Sequence, residues 1–302
     1  FVPLSNYDEY KDHLFNCLKG LFGALKPDEL IPDHYVREEM IRLGEWLIDN
    51  NRHDDAIWLI NKFIDDTSPD STRNQYDKQL EDDVRENKDP QVIASVLGHL
   101  AWVVQKLTVN KRYIAEALDF TIKLSKHKNL YIKQQSLIPL IEIVKRKKWL
   151  IEVDKLNGTR NFDTMKKLCF VYLDKYSRYK AIANWLTLLF FNYSDLNTEE
   201  TLMVLDKLKH AEDSSALYVY FALFRKRHYK SKDGKQLIPF DSKKIEAKLK
   251  TILEENSSNP GLRAGIAWQL AKIVKDSKKS DFSTVKPWIN ILFKQPYERA
   301  VF

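Results

Sequence analysis

From Tyr7 to Leu25 apolar side chains recur at Tyr10, Leu14, Leu18, Leu21 and Leu25, in steps of three and four that set them on one face of an amphipathic helix. Pro27 and Pro32 interrupt this pattern. Asp33 then suits the N-cap of a second helix carrying Val36, Met40, Leu43 and Leu47, which stops at Asn50 and Asn51. Asp54 opens a third through Ile57, Ile60 and Ile64. The stretch 65–89 is the most polar of the chain, and reads as a loop with one short helix around Leu80 and Val84. Beyond it the helical period resumes over 90–107, 111–127, 130–148, 163–176, 178–192, 198–211, 214–228, 242–256, 260–276 and 282–294; nothing there reads as a strand pair. Asp89-Pro90 and Asn259-Pro260 each place a cap before a first-turn proline, and Asn197 followed by Glu200 spells a capping box. Tyr229 to Asp241, with Asp233-Gly234 and Pro239, reads as an exposed loop.

Composition narrows the fold class. Glycine and proline together number 18 of 302 residues, too few turn formers for a sandwich, barrel or propeller, and the scattered glycines form no phosphate-cradling string. With 44% apolar and 30% charged residues the chain can bury a large core. An all-α protein is expected. No apolar run reaches the roughly 18–20 residues of a membrane span. Trp185, Leu186, Leu188, Leu189, Phe190 and Phe191 exceed a single ~100° stripe, so their helix is expected to pack on two sides. Pro139 falls inside a helical pattern, where it bends the helix or breaks it. Cys17 and Cys169 lie on apolar-periodic segments and read as buried thiols without a histidine neighbour, which favours a reducing, intracellular compartment, cytoplasmic or nuclear. The sequons at Asn157, Asn192 and Asn256 are then chance matches. No signal-peptide pattern follows Phe1, and the chain reads as a piece of something longer.

A repeat is visible in the helices. DPQVIASVLGHLAWVV from Asp89 aligns with NPGLRAGIAWQLAKIV from Asn259: Pro90 meets Pro260, Ala94 meets Ala264, Leu100 meets Leu270, Ala101 meets Ala271 and Val104 meets Val274. NLYIKQQSLIPLIEIV from Asn129 fits the same frame through Ile132, Lys133, Leu140 and Val144. The offset from Asp89 to Asn129 is 40 residues, within the ~40–47 of HEAT and armadillo units. The sequence resembles the HEAT-repeat family, whose second helix begins Asp-x-x-Val-Arg-x-x-Ala. Asn259, Leu262, Arg263 and Leu270 match best, while Ile93 and Lys133 stand at the arginine position of the other two segments. The resemblance covers roughly residues 90–294, more weakly at 163–228, and implies an α-solenoid, a superhelix of HEAT-like hairpins, without implying an activity. Three regions are expected: an acidic helical cap at 1–65, a polar linker at 66–89 and a basic array at 90–302.

The usual catalytic patterns are missing. No two of His13, His34, His53, His99, His127, His210 and His228 stand four apart, and neither Cys-x-x-Cys nor Gly-x-Ser-x-Gly occurs. His99, between Leu97 and Leu100, reads as a satisfied helix histidine. The alkylpurine DNA glycosylases built on HEAT-like arrays carry an aspartate one turn from a tryptophan. The residues four beyond Trp46, Trp58, Trp102, Trp149, Trp185, Trp268 and Trp288 include none. Charge is the remaining signal, since residues 1–90 hold 11 Lys and Arg against 21 Asp and Glu, and 91–302 hold 38 against 21. The basic part either meets an external polyanion or faces the acidic part. Three clusters read as helix ends: Lys145, Arg146, Lys147 and Lys148; Arg225, Lys226 and Arg227; and Lys272, Lys275, Lys278 and Lys279. The expected function is a non-enzymatic scaffold that binds a protein partner without cofactor, metal, membrane or small-molecule substrate, as a regulatory or sensor arm of a larger protein. The alternative is sequence-independent binding of a nucleic-acid backbone by the three clusters, with a HEAT-like glycosylase as its remote variant.

Overall fold

A computed structural model describes residues 8–23, 34–64, 71–86, 96–193, 196–208 and 242–255, and among them every element is helical and none is a strand. In chain order these are α1 (Asp8–Leu21), α2 (His34–Asp49), α3 (His53–Phe63), α4 (Ser71–Arg85) and α5 (Val96–Leu107). A 3-10 turn at Lys111–Tyr113 leads into α6 (Ile114–Ser125), followed by α7 (Leu130–Lys145), α8 (Lys147–Asn157) and α9 (Asn161–Tyr176). The last three are α10 (Lys180–Asn192), α11 (Thr198–Leu208) and α12 (Ser242–Glu255).

Short-range chemistry sets several of the boundaries. Asn51 ends α2 in the left-handed region at φ 60°, while the Asn50 side chain donates to the Trp46 carbonyl at 2.9 Å. Asn129 caps α7, its Oδ1 accepting from the amides of Tyr131 at 2.8 Å and Ile132 at 3.3 Å. Gly158 closes α8 at φ 68°, a conformation that costs glycine little. Asp154 then accepts from the amides of Asn161 at 2.9 Å and Phe162 at 2.8 Å and from the Thr159 hydroxyl at 2.6 Å, so the anion sits at the N-terminus of α9. The capping box before α11 is present in both halves: the Asn197 amide donates to Glu200 at 3.0 Å and the Glu200 amide to Asn197 at 2.9 Å.

Two compact units divide at Leu168 and Cys169, within α9. In the first, α2 lies beside α5 and α1 beside α3. Glu38 and Arg42 of α2 meet His99 of α5, Gly44 abuts Val103, and Glu45 with Asp49 meets Lys106. Because both numbers rise together, α2 and α5 run in the same direction. Asp12, Phe15, Lys19 and Phe22 of α1 likewise meet Arg52, Trp58, Asp55 and Phe63 at and in α3, a second parallel pair. His53, at the start of α3, stacks on Tyr113 beside the start of α6 at 4.9 Å between ring centroids. Lys111 pairs with Glu152 of α8, and α5 packs on α7. Chain neighbours α2 and α3, α5 and α6, and α6 and α7 pack as hairpins across these rows.

The second unit keeps the habit of its helices meeting through short ion pairs. Lys207 of α11 reaches Asp174 of α9 at 2.9 Å, and Lys248 of α12 reaches Asp206 of α11 at 3.0 Å. Phe170 meets Phe190 of α10 edge-on at 5.5 Å, and α10 packs on α11.

Several expectations are corrected. The face read for α1 is rotated: Phe15, Leu18 and Phe22 are buried, whereas Tyr10, Leu14 and Leu21 are exposed. Two adjoining apolar stripes compete there, and the one with two phenylalanine rings removes more area from water. On α2, Leu43 and Leu47 are buried as expected, but Val36 is exposed, and Ile41 and Ile48 join the core. Residues 71–85 form a full helix rather than a short one, with Leu80 and Val84 buried. The run expected at 130–148 ends at Lys145 and a new helix begins at Lys147, so α8 was missed. Pro139 does not break α7. In α10, Ile182, Ala183, Leu186, Thr187, Leu189 and Phe190 are buried over an arc wider than one ~100° stripe, as expected, while Leu188 and Phe191 are exposed on the remaining face. The features read at Leu25, Pro27, Pro32, Asp33, Asp89-Pro90, 214–228, Tyr229 to Asp241, Asn259-Pro260, 260–276 and 282–294 lie outside the described residues.

Candidate functional site

Of the three basic clusters, Arg225, Lys226 and Arg227, and Lys272, Lys275, Lys278 and Lys279, lie outside the described residues. The first is split between two helices. Lys145 and Arg146 close α7, where both pair with Glu142. Burial alone would raise the Glu142 carboxyl, but bonds from Lys145 and Arg146 and their charges hold it below its ordinary value. Arg146 also lies 5.9 Å from the Trp149 ring centre. Lys147 is buried in the first turn of α8 and Lys148 is exposed beside it. The cluster therefore does not end one helix as expected. Cations in a first turn oppose the macrodipole, and α8 starts there because Leu150 is buried as α8 packs on α6. Half of the tetrad is spent on Glu142, so it presents much less free charge than its sequence implies.

Part of the acidic surplus is answered within the first unit. Lys106 lies 2.7 Å from Asp49 and 3.3 Å from Glu45; burial would lower its pKa, but these two partners raise it above the ordinary lysine value. His99 Nδ1 lies 3.0 Å from Glu38 Oε1, its Nε2 3.4 Å from Arg42, and both His99 and Glu38 side chains are about nine-tenths buried. The Glu38 contact is an ion-pair distance without hydrogen-bond alignment, since Nδ1 finds no bonded partner. The histidine is thus an interhelical contact of α2 with α5, as a helix histidine rather than a ligand. Around α1, Lys19 and Lys62 each lie 5.9 Å from the Trp58 ring centre, and Arg52 lies 4.9 Å from that of Phe15. Lys62 also donates to the Phe22 carbonyl at 2.7 Å. Asp55, between Lys19 and Arg52, has its carboxyl raised by burial and lowered more by those partners. These cations hold α1 to its neighbours and are committed to rings, carboxylates and carbonyls.

Cysteine chemistry differs from expectation on one side. Cys169 is a buried thiol, but Cys17 is exposed, and its Sγ lies 3.7 Å from Nε2 of His13, one turn earlier. The four-residue spacing of His13 and Cys17, one helical turn, is legible in the sequence. No group of three or more His, Cys, Asp or Glu converges on a metal position among the described residues. No protein-family model, characterised protein or solved structure matches the chain. No helix among the described residues is long and apolar enough to cross a membrane.

Apolar side chains are also exposed among the described residues. Tyr10, Leu14, Cys17 and Leu21 form a continuous stripe along α1, with Tyr10 59% and Leu21 60% exposed. Leu156 near the end of α8, and Leu188 and Phe191 one turn apart on α10, are further exposed apolar side chains. Sequence periodicity found the α1 stripe and assigned it to the core. Only the packing of Phe15 against Trp58 and Phe22 against Phe63 tells which face is inside.

Proposed function

We propose that this chain is a non-enzymatic platform of stacked HEAT-like helical pairs that binds a protein partner. One observation carries the reading. Helix α1 runs parallel to α3 and touches it at chain separations of 36 residues for Lys19 and Asp55 and 40 for Lys62 and Phe22, and the turn before α6 touches α8 at 41, through Lys111 and Glu152. Between α2 and α5 the separation is 57, for Arg42 with His99 and for Lys106 with Asp49, because α4 and its flanking residues are inserted between the two pairs. A recurring separation near the length of one unit is what neighbour-only stacking produces, and a closed bundle does not. The in-register residues agree: Leu100, Ala101 and Val104 of α5 and Ile132, Leu140 and Val144 of α7 are all core, on helices that pack together.

Stacked pairs present a long ridged surface suited to a protein segment. The apolar side chains exposed on α1, α8 and α10 favour a protein over a phosphate backbone, and the neutralisation of Lys145 and Arg146 by Glu142 weakens the nucleic-acid reading further. The test is capture of partners by the full chain from a nuclease-treated extract, then titration of the purified partner. The platform reading expects a nuclease-resistant partner bound directly. It fails if captured proteins vanish with nuclease while the chain binds duplex DNA or RNA below micromolar Kd at physiological salt, with log K falling steeply against log salt.

A further inference from the structure

The outward face of α1 carries a pair of soft donor groups. His13 and Cys17 are both exposed, and His13 Nε2 lies 3.7 Å from Cys17 Sγ. Zinc binds thiolate sulfur at ~2.3 Å and imidazole nitrogen at ~2.0–2.1 Å, so two such ligands at adjacent corners of a tetrahedron stand about 3.5 Å apart. The pair therefore already stands close to the bite of two tetrahedral ligands, on a helix that fixes its spacing. Asp12 and Lys19 of the same helix are spent on Arg52 and Asp55, whereas these two side chains meet each other. No third His, Cys, Asp or Glu joins them among the described residues, so one chain fills half of a four-ligand site.

We propose that His13 and Cys17 are half of a tetrahedral zinc-type site, completed by the same two residues of a second copy of this chain. The surrounding face argues for the second copy. Tyr10, Leu14, Cys17 and Leu21 follow at steps of four, three and four, the spacing of the seam along which two helices pair. Tyr10, Leu14 and Leu21 are 59%, 36% and 60% exposed. Such a seam is self-complementary, and a two-fold axis crossing it near Cys17 brings the two half-sites face to face. Only about two heptads long, it is too short to pair helices by apolar contact alone, so the metal closes the dimer and its removal opens it. Each Cys17 binds as thiolate, giving its proton to solvent, and each His13 binds as neutral imidazole. Two sulfur and two nitrogen ligands favour zinc or cobalt over magnesium or calcium. The inference concerns α1 and does not depend on the platform reading.

The probe is cobalt(II) alone, titrated into the chelator-treated full chain with a phosphine reductant present to prevent disulfides. A thiolate-to-cobalt charge-transfer band and the visible bands of tetrahedral cobalt are expected to rise together and saturate at about half an equivalent per chain. Light scattering should show the mass doubling over the same titration, and EDTA should reverse both. Cys17→Ser should abolish the charge-transfer band, His13→Ala the tetrahedral bands, and each the doubling; both side chains are exposed, so helical circular dichroism should be retained. Leu14→Glu keeps both ligands but sets like charges across the seam, and should raise the chain concentration needed for doubling at least about tenfold. Saturation at one cobalt per chain without doubling gives the remaining positions to water and overturns the second copy. An absent charge-transfer band, its survival in Cys17→Ser, or a dimer that persists in EDTA overturns the site, and unchanged doubling in Leu14→Glu overturns the seam.

Discussion

Gly44 is where α2 and α5 come closest, and replacing it gives a quantitative test of their stacking. A methyl group added there would stand 2.8 Å from Val103 Cγ1, 3.5 Å from its Cγ2 and 3.4 Å from Leu59 Cδ2. Valine is branched at Cβ and cannot swing its methyls aside without leaving its rotamer. Gly44→Ala gains about 1 kcal/mol of helix propensity, but overpacking costs about 1–3 kcal/mol, so a net loss of up to about 2 kcal/mol is expected. Gly20, in the last turn of α1, has nothing within 4 Å of the same position, and Gly20→Ala is expected to stabilise by up to about 0.5–1 kcal/mol. The sign should therefore reverse between two glycines in neighbouring helices. Val103→Ala alone is expected to cost about 2 kcal/mol, as a buried large-to-small change. Combined with Gly44→Ala, the new methyl fills part of the space, and the pair should couple favourably by about 1–2 kcal/mol. Urea unfolding followed by circular dichroism, with hydrogen exchange of α2 and α5 as the local readout, measures all four. If Gly44→Ala stabilises as much as Gly20→Ala, or the two substitutions simply add, the close approach is not real.

Two further outcomes follow from the caps. Asn129→Ala removes the acceptor of two amides at the start of α7 and should cost about 1 kcal/mol, read as a lower urea midpoint with an unchanged slope. Asp154 is raised by burial but lowered more by the Phe162 and Asn161 amides and the Thr159 hydroxyl, leaving it below its ordinary value of 3.8. Its stabilisation is complete above that value and lost as pH falls through the lower folded value, so Asp154→Ala should destabilise at pH 7 by about 1–2 kcal/mol and flatten the acid limb of stability against pH. An acid limb as steep as that of the wild type contradicts this role.

How much of this was legible varies from helix to helix. The all-helical class followed from a shortage of glycine and proline, and the stop at Asn50-Asn51 and the start at Asn197-Glu200 followed from local bonds that a sequence states outright. The core of α1 did not follow, because two apolar stripes lie side by side on it and ring packing against Trp58 and Phe63, some forty residues away, chooses between them. Nor did α8, since four consecutive cations look like one helix end until Glu142 takes two of them and Leu150 draws the next turn inward. The parallel pairing of α2 with α5 was hidden by the insertion of α4, which shifts its contacts to a separation of 57 from the 40-residue frame.

Carbodiimide cross-linking of the full chain, read by mass spectrometry, tests the stacking of successive pairs most directly, because it joins lysines only to carboxylates already in contact. The account predicts bonds Lys19–Asp55, Lys106–Asp49, Lys111–Glu152, Lys207–Asp174 and Lys248–Asp206, at separations of 36, 57, 41, 33 and 42 residues. Dominant cross-links within residues 1–168 between groups more than about 100 residues apart, as a closed bundle would give and a neighbour-only stack would not, would contradict it.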